Sequence, residues 1–531
     1  MRQFLLEQDG TETRSVSRET PRILVVPRIA EAASIVIILS KPEMSPKPKL
    51  RTAKDISRTH RERLVKAAFL KEVMKGWYIP SRPDENIGES TAWYTSYWGF
   101  CAQYLSGRFG DDWSLSPEQS LILHAGDTTV PAQLLVRAVK GGNSKTDLPH
   151  NTSLSETRAT IASDDTLEIV DGLRLFSVDD ALILVPEVIF QNHPTEARTA
   201  LAMMPDASRL LGKLLDGGHT RAAGRLAGAF RSIGSDKVAV GILAAMKAAS
   251  HDVRETNPFE QSIVVLNAGR VTSPHVHRIR LKWESMRADV IKAFPKAQPI
   301  ANDIEAYLKQ IDEFYVTDAY HSLFIEGYRV SPKLIEKVRS GTWNPEADEE
   351  DRALKDALAA RGYWEAFQRV KESIRAVLEG ADASEVAEQD LSDWNRALFA
   401  PSVTAGILKA SQLAGYRSSP VYIRQSQHVP MSPEAVRDCM PVLFELLREE
   451  DNPVVRIVLG HFIFVFIHPF LDGNGRMARF LMNVMMAAAG QPWMVIKVEQ
   501  RSAYMTALEA ASVKGDIRPF AAFLAETRAA Q

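Results

Sequence analysis

Gly473-Asn474-Gly475 is the stretch that most restricts how this chain can fold, because it interrupts an apolar run between His461 and Asn483. Glycines on both sides of Asn474 let the backbone take positive φ and aim several N–H groups at one point. From Phe480 to Ala489 the chain is apolar and rich in helix formers, so the glycine turn is expected to open a helix. A helix start carries unsatisfied N–H groups and a partial positive charge, which suits an anion. Arg476 and Arg479 share a helix face and could fork onto phosphate oxygens. Asp472 offers a hard oxygen for Mg²⁺. His468 is the side chain here whose ordinary pKa suits a general base near neutrality. An anion nest, two cations, a metal ligand and a base together imply transfer from a nucleoside di- or triphosphate.

His468-Pro469-Phe470-Leu471-Asp472-Gly473-Asn474-Gly475-Arg476-Met477-Ala478-Arg479 resembles the full signature of Fic-domain proteins, HPFx(D/E)GNGRxxR. The resemblance implies a protein adenylyltransferase that moves AMP from ATP to a Ser, Thr or Tyr hydroxyl, with Mg²⁺ as cofactor. It makes His468 the base and Asp472 the metal ligand. Gly473, Asn474, Gly475, Arg476, Arg479 and, further on, Tyr504 become nucleotide-binding residues. Gly473 to Ala478 also fits a loose dinucleotide fingerprint, but that motif needs a βαβ unit around it. A bare glycine turn with solvated arginines explains each residue singly and not their combination. Phe470 reads as a core anchor for the loop, and His461, two turns before His468, as structural.

A second motif lies upstream. The periodicity of residues 302–327 predicts a helix ended by Gly327, with Ser322 and Glu326 on one face. A Glu in the last turn opposes the macrodipole unless a cation answers it. Ser322-x-x-x-Glu326-Gly327 resembles the inhibitory motif of Fic proteins, which implies that Glu326 pairs with Arg479 and fills the space of the ATP γ-phosphate. Pro420, Val421, Tyr422 and Ile423 resemble the Fic flap, a short β-hairpin that would hold the protein substrate by strand addition.

The expected fold is mostly α: an all-helical Fic core with a β-hairpin flap over residues 276–531, preceded by a mixed α/β N-terminal region. Residues 44–130 read as a winged helix and 131–255 as a mixed α/β, then helical, body. The N-terminal region resembles AbiEi-type antitoxin regulators. Between Lys47 and Lys75 there are ten Lys or Arg against Asp55, Glu62 and Glu72, so DNA is a candidate partner. Within that stretch, helical spacing continues to Met74 with Gly76 as its cap, and Trp77-Tyr78-Ile79 reads as a strand stopped by Pro80. Residues 1–43 read as a weakly structured extension or an upstream start, with Met44 the more ordinary beginning.

Net charge −2 argues against a chain that coats nucleic acid along its whole surface. With only Cys101 and Cys439, a disulfide framework or Cys-rich zinc site is excluded, and a reducing cytoplasm is the expected location. No apolar run reaches the roughly 18–20 residues that span a bilayer, so no membrane partner is expected. Four alternatives stay open: transfer of another phosphate-linked group such as UMP or phosphocholine, removal of AMP, a DNA-binding regulator with a silenced Fic domain, and a homo-oligomer.

Overall fold

Ser57 opens the first helix, its hydroxyl accepting the His60 amide, and the chain runs helically as α1 (Arg58–Lys66). The helix does not reach Met74 as its spacing suggests. Ala68 turns to φ 57, and Leu70–Met74 becomes strand β1, antiparallel to β2 (Trp77–Pro80) across a turn at Gly76, φ 85. Glu72 fastens that turn, accepting the Gly76 N–H at 3.2 Å and the Tyr78 hydroxyl at 3.1 Å. Helical and strand spacing overlap in so short a run, and ladder pairing to the aromatic strand decides between them.

The computed structural model describes residues 57–81, 83, 90–161, 166–204, 206–259, 273–294, 303–343 and 354–531. The extension 1–43, Met44 and the first part of the basic segment lie outside them. The chain divides into two units, Met1–Glu85 and Asn86–Gln531; α1, β1 and β2 belong to the first.

The second unit begins with α2 (Thr91–Phe109), which buries Trp93, Tyr97, Phe100 and Leu105. After it come β3 (Trp113–Leu115), α3 (Pro117–His124), β4 (Gln133–Ala138), β5 (Lys145–Leu148) and β6 (Thr152–Arg158). The sheet order is β3-β4-β6-β5, with β4 and β6 parallel and the other pairs antiparallel. A hairpin of β7 (Leu167–Val170) and β8 (Leu173–Phe176) follows, and then α4 (Val178–Leu184), α5 (Val188–Asn192), α6 (Pro194–Ala202), α7 (Ser208–Asp216), α8 (Thr220–Ser232) and α9 (Asp236–Ala248). Leu182, Phe190, Leu201, Leu214, Leu226 and Phe230 are buried in one apolar cluster among these helices. The polar stretch 251–259 is laid directly on α8, its Thr256 amide donating to the Gly224 carbonyl.

The rest is helical: α10 (Pro274–Ala293), α11 (Ile304–Ile325), α12 (Pro332–Arg339), α13 (Leu354–Leu378), α14 (Ala383–Thr404), α15 (Pro433–Glu449), α16 (Pro453–Ile467), α17 (Asn474–Ala488), α18 (Arg501–Lys514) and α19 (Arg518–Ala529). Helix α10 serves both cores, giving Leu281 to the first and Ile279, Trp283 and Met286 to the second. Its buried Arg278 pairs with Asp127 at 3.0 Å and donates to the Gly126 carbonyl at 2.7 Å. The expectation of a mostly α chain holds. No described helix is long and apolar enough to cross a membrane.

The expected flap hairpin is not formed. Residues 414–431 contain no strand, only a turn in which the Ser426 N–H reaches the Ile423 carbonyl at 3.2 Å. Pro420 and Pro430 cannot donate to a ladder. The backbone groups go to side chains instead: Glu509 takes the Gln427 N–H, Ser426 Oγ takes the His428 N–H, and Arg417 takes the Ser419 and Met431 carbonyls.

Candidate active site

Helix α16 starts with its Asn452 cap accepting the Val454 and Val455 amides, and it runs through the core almost without polar side chains. It stops at His468 because Pro469 disfavours the right-handed helical region for the residue before it. His468 takes the left-handed conformation instead, φ 55 and ψ 62. For a residue with a Cβ this costs energy and persists only if the surroundings enforce it. Arg417 does so. Its Nε donates to the His468 carbonyl at 2.8 Å, and its backbone N–H donates to the Pro469 carbonyl at 2.9 Å. The sequence placed Arg417 only within Gly415-Tyr416-Arg417 at the head of the flap and gave it no part in holding the loop.

The loop is closed by Asn474, whose side chain accepts the Phe470 N–H and donates to the Phe470 carbonyl, each at 2.8 Å. Asn474 was expected among the nucleotide ligands, and the structure uses its amide as a staple. Phe470 is buried between Tyr416 and Phe464, as an anchor should be. Gly473 caps α17 at φ 79 with no side chain over the helix end, so the first amides of α17 keep no cap from it.

Around that helix start lie the charged groups. Arg476 is 1% exposed and sandwiched between the rings of Tyr328 and Phe399, 5.2 Å from each centroid. Its Nη2 stands 3.7 Å from Asp472, too far for a hydrogen bond. Arg479 donates from Nε to Ser322 Oγ at 3.0 Å, and from Nη2 to the Ser322 carbonyl at 3.2 Å and Glu326 Oε1 at 2.8 Å. Among the described residues, Nε and Nη2 of Arg476 and Nη1 of Arg479 are buried donors that complete no hydrogen bond. Asp472 is exposed, its Oδ1 accepting the Gly473 N–H at 2.6 Å.

His468 Nδ1 lies 3.2 Å from the Val465 carbonyl, which can only accept. The proton therefore sits on Nδ1, and Nε2 carries the lone pair. Burial pushes the ring's pKa down to about 4, against a smaller upward pull from that carbonyl, so His468 is neutral at pH 7.

Helix α11 ends in a Schellman motif. Gly327, φ 91, donates to the Phe324 carbonyl and Tyr328 to the Leu323 carbonyl. Glu326 is thereby fixed at the last turn, where Arg479 pairs with its carboxylate and Arg501 Nε donates to the neighbouring Ile325 carbonyl at 2.9 Å. The Glu326 carboxylate rests on α17, since a Cβ at position 475 would lie 2.3 Å from its Oε1. Two turns back, buried Asp318 accepts the Tyr363 hydroxyl at 2.6 Å, and burial raises its pKa to about 6.

Tyr504 does not face the open loop. It is 1% exposed, with its hydroxyl 2.8 Å from His461 Nε2. His461 Nδ1 is held by the Ala478 carbonyl, so Tyr504 is the donor of that bond and supports α17 from behind. Of the flap residues, Pro420 and Tyr422 are exposed and Val421 and Ile423 partly so.

Residues 385–486 match the Fic/DOC family. Protein adenylyltransferase fic-1 of Caenorhabditis elegans is 28% identical over 228 residues, covering 42% of this chain and 41% of that protein. Protein adenylyltransferase Fic of Nematostella vectensis is 41% identical over 114 residues, 21% of this chain and 26% of the relative. Protein adenylyltransferase Fic of Drosophila willistoni is 31% identical over 221 residues, 40% of each. The chain spans less than half the length of each of these relatives.

Proposed function

We propose that the chain uses its Fic domain as a protein adenylyltransferase, moving AMP from ATP to a Ser, Thr or Tyr hydroxyl of a protein, and that Glu326 holds it back. The observation that carries this reading is the set of buried guanidinium donors on Arg476 and Arg479 that complete no hydrogen bond, beside the uncapped start of α17. Leaving such donors unsatisfied costs on the order of 1–3 kcal/mol each unless a ligand takes them. Phosphate oxygens match their charge and geometry.

In the reaction, His468 Nε2 accepts the proton of the target hydroxyl. That oxygen forms a bond to the α-phosphorus while the bond to the bridging oxygen breaks, and pyrophosphate leaves. A positioned base of this kind contributes roughly 10²–10⁴-fold, with positioning and charge stabilisation supplying the rest. Asp472 is the residue that would hold Mg²⁺. A single exposed carboxylate suits a cation that takes its other oxygens from phosphate and water. When bound, that cation neutralises phosphate charge. Arg476, clamped between two rings, has little freedom to lose on binding phosphate. Arg479 must first exchange Glu326 for phosphate, which is the proposed brake. Residues 420–423, which follow the Arg417 anchor on the His468 loop, would meet the target segment.

The test is incubation of wild type, Glu326→Gly and His468→Ala with α-labelled ATP and Mg²⁺ in the presence of cell lysate. Protein-bound label is expected for Glu326→Gly, little for wild type and none for His468→Ala. A Glu326→Gly chain that labels nothing would overturn the reading.

A further inference from the structure

A cleft of about 430 Å³, within the size range of ligand sites, is lined on one side by the flap and by no residue of the His468 loop. One wall is the start of α2 and the turn between β5 and β6, with Tyr94, His150, Asn151 and Thr152; the other is the flap, with Gln425 and Gln427. We propose that this cleft is the distal part of the groove for the target protein and takes an extended, uncharged stretch of its polypeptide. The proposal rests on the transferase reading and names how that activity would find its substrate.

The wall chemistry selects the occupant. Among the described lining residues there is no Asp, Glu, Lys or Arg. A phosphate or an acidic side chain entering there would lose hydration without a counter-charge, and the one carboxylate behind the wall, Glu509, is taken up by Ser426 and the Gln427 backbone. Side-chain amides and hydroxyls can both donate and accept, which is what a peptide backbone requires in alternation. Gln425 and Gln427 also follow closely on Pro420–Ile423, so a segment lying along the flap is led into the cleft.

The walls are preformed. His150, Asn151 and Gln425 sit at φ 54, 58 and 61, a region that residues with a Cβ seldom adopt. His150 and Asn151 take it as the turn residues between β5 and β6, and the flap side is held by its neighbours. Glu509 holds Ser426 and the Gln427 backbone. Tyr94 is hydrogen-bonded to Gln427, and the buried Trp93 Nε1 donates to Thr152 Oγ1 at 3.0 Å. A wall already ordered in this way lowers the entropy lost on docking.

The test is panning of a phage library of random dodecapeptides on the full-length chain. Enriched peptides are then measured against wild type, Ala132→Trp, Gln427→Ala and His468→Ala. Ala132 is an exposed lining residue, so the indole fills the cleft without disturbing the core. Enriched peptides should bind Ala132→Trp and Gln427→Ala at least about tenfold more weakly and His468→Ala as wild type does. Failure to enrich any peptide, or undiminished binding to both cleft variants, overturns the proposal. The assay needs neither nucleotide nor chemistry. If Glu326→Gly transfers no label but the peptides still depend on the cleft, the transferase reading falls and the docking surface stands.

Discussion

Arg479 Nη2 donates to Glu326 Oε1 at 2.8 Å, joining residues 153 apart in sequence. The same guanidinium donates to Ser322 one turn earlier, so a single arginine holds the whole end of α11 against the start of α17. Arg479 is 3% exposed, which makes each partner costly to remove.

Glu326→Gln keeps the shape and an acceptor but removes the charge that competes with phosphate. ATP should bind this variant at least about tenfold more tightly than wild type, by calorimetry, because Arg479 is released from its ion pair. Equal affinities would mean that the carboxylate is not what keeps the nucleotide out. Ser322→Ala, by contrast, leaves Arg479 Nε unsatisfied and should cost about 1–3 kcal/mol in urea unfolding.

Arg417→Met should lower kcat by roughly a hundredfold with the KM for ATP little changed, since it frees the His468 and Met431 carbonyls and misplaces the base. Arg417→Lys should not restore the rate, because an ammonium cannot hold several carbonyls in a planar fork. A variant that loses ATP affinity and rate together would place Arg417 in nucleotide binding instead.

Acid should destabilise the chain well before its exposed carboxylates titrate. Burial lowers both His461 and His428 to about 3, from an ordinary value of 6.5. As pH falls below 6.5 the unfolded chain takes up protons that the folded chain refuses, so unfolding free energy drops, by up to about 1.4 kcal/mol per pH unit for each histidine. Urea midpoints measured from neutral pH downward should fall, and His461→Gln should flatten the slope. His468, lowered to about 4, sets the acid limb of the transfer rate near that value.

Two glycine-to-alanine changes should act with opposite sign. At Gly228 a Cβ would meet the Thr256 carbonyl oxygen at 2.2 Å, so Gly228→Ala must push the 251–259 stretch off α8 and should cost about 1–3 kcal/mol. Gly241, within α9, has nothing within 4 Å of its Cβ position, and Gly241→Ala should stabilise by about 0.5–1 kcal/mol. Thermal unfolding of the pair checks both.

The candidate site was readable to the extent that its instructions are local. A proline after His468, glycines around Asn474 and an apolar run beyond them are short-range constraints, and the structure follows them in the left-handed His468, the glycine cap and α17. Helix α11 and its end at Gly327 were equally legible, being set by periodicity and one glycine. The run Leu64 to Met74 fits helix and strand alike, and only pairing with Trp77–Pro80 broke the tie. The flap was expected as a hairpin from its resemblance to the Fic flap, but Arg417, Ser426 and Glu509 claim the backbone groups a ladder needs.

The sequence by itself determined the chemistry available at the loop: which side chains can take a proton, hold a cation or face a phosphate. Only the tertiary structure decided which of them are free to do so. Asn474 is turned inward as a staple, Tyr504 is spent on His461, Arg476 is pressed between Tyr328 and Phe399, and Arg479 is divided between Ser322 and Glu326. The reason is that a residue type fixes donors, acceptors and charge. Burial and the partners that share it come from segments far along the chain, which only packing brings together.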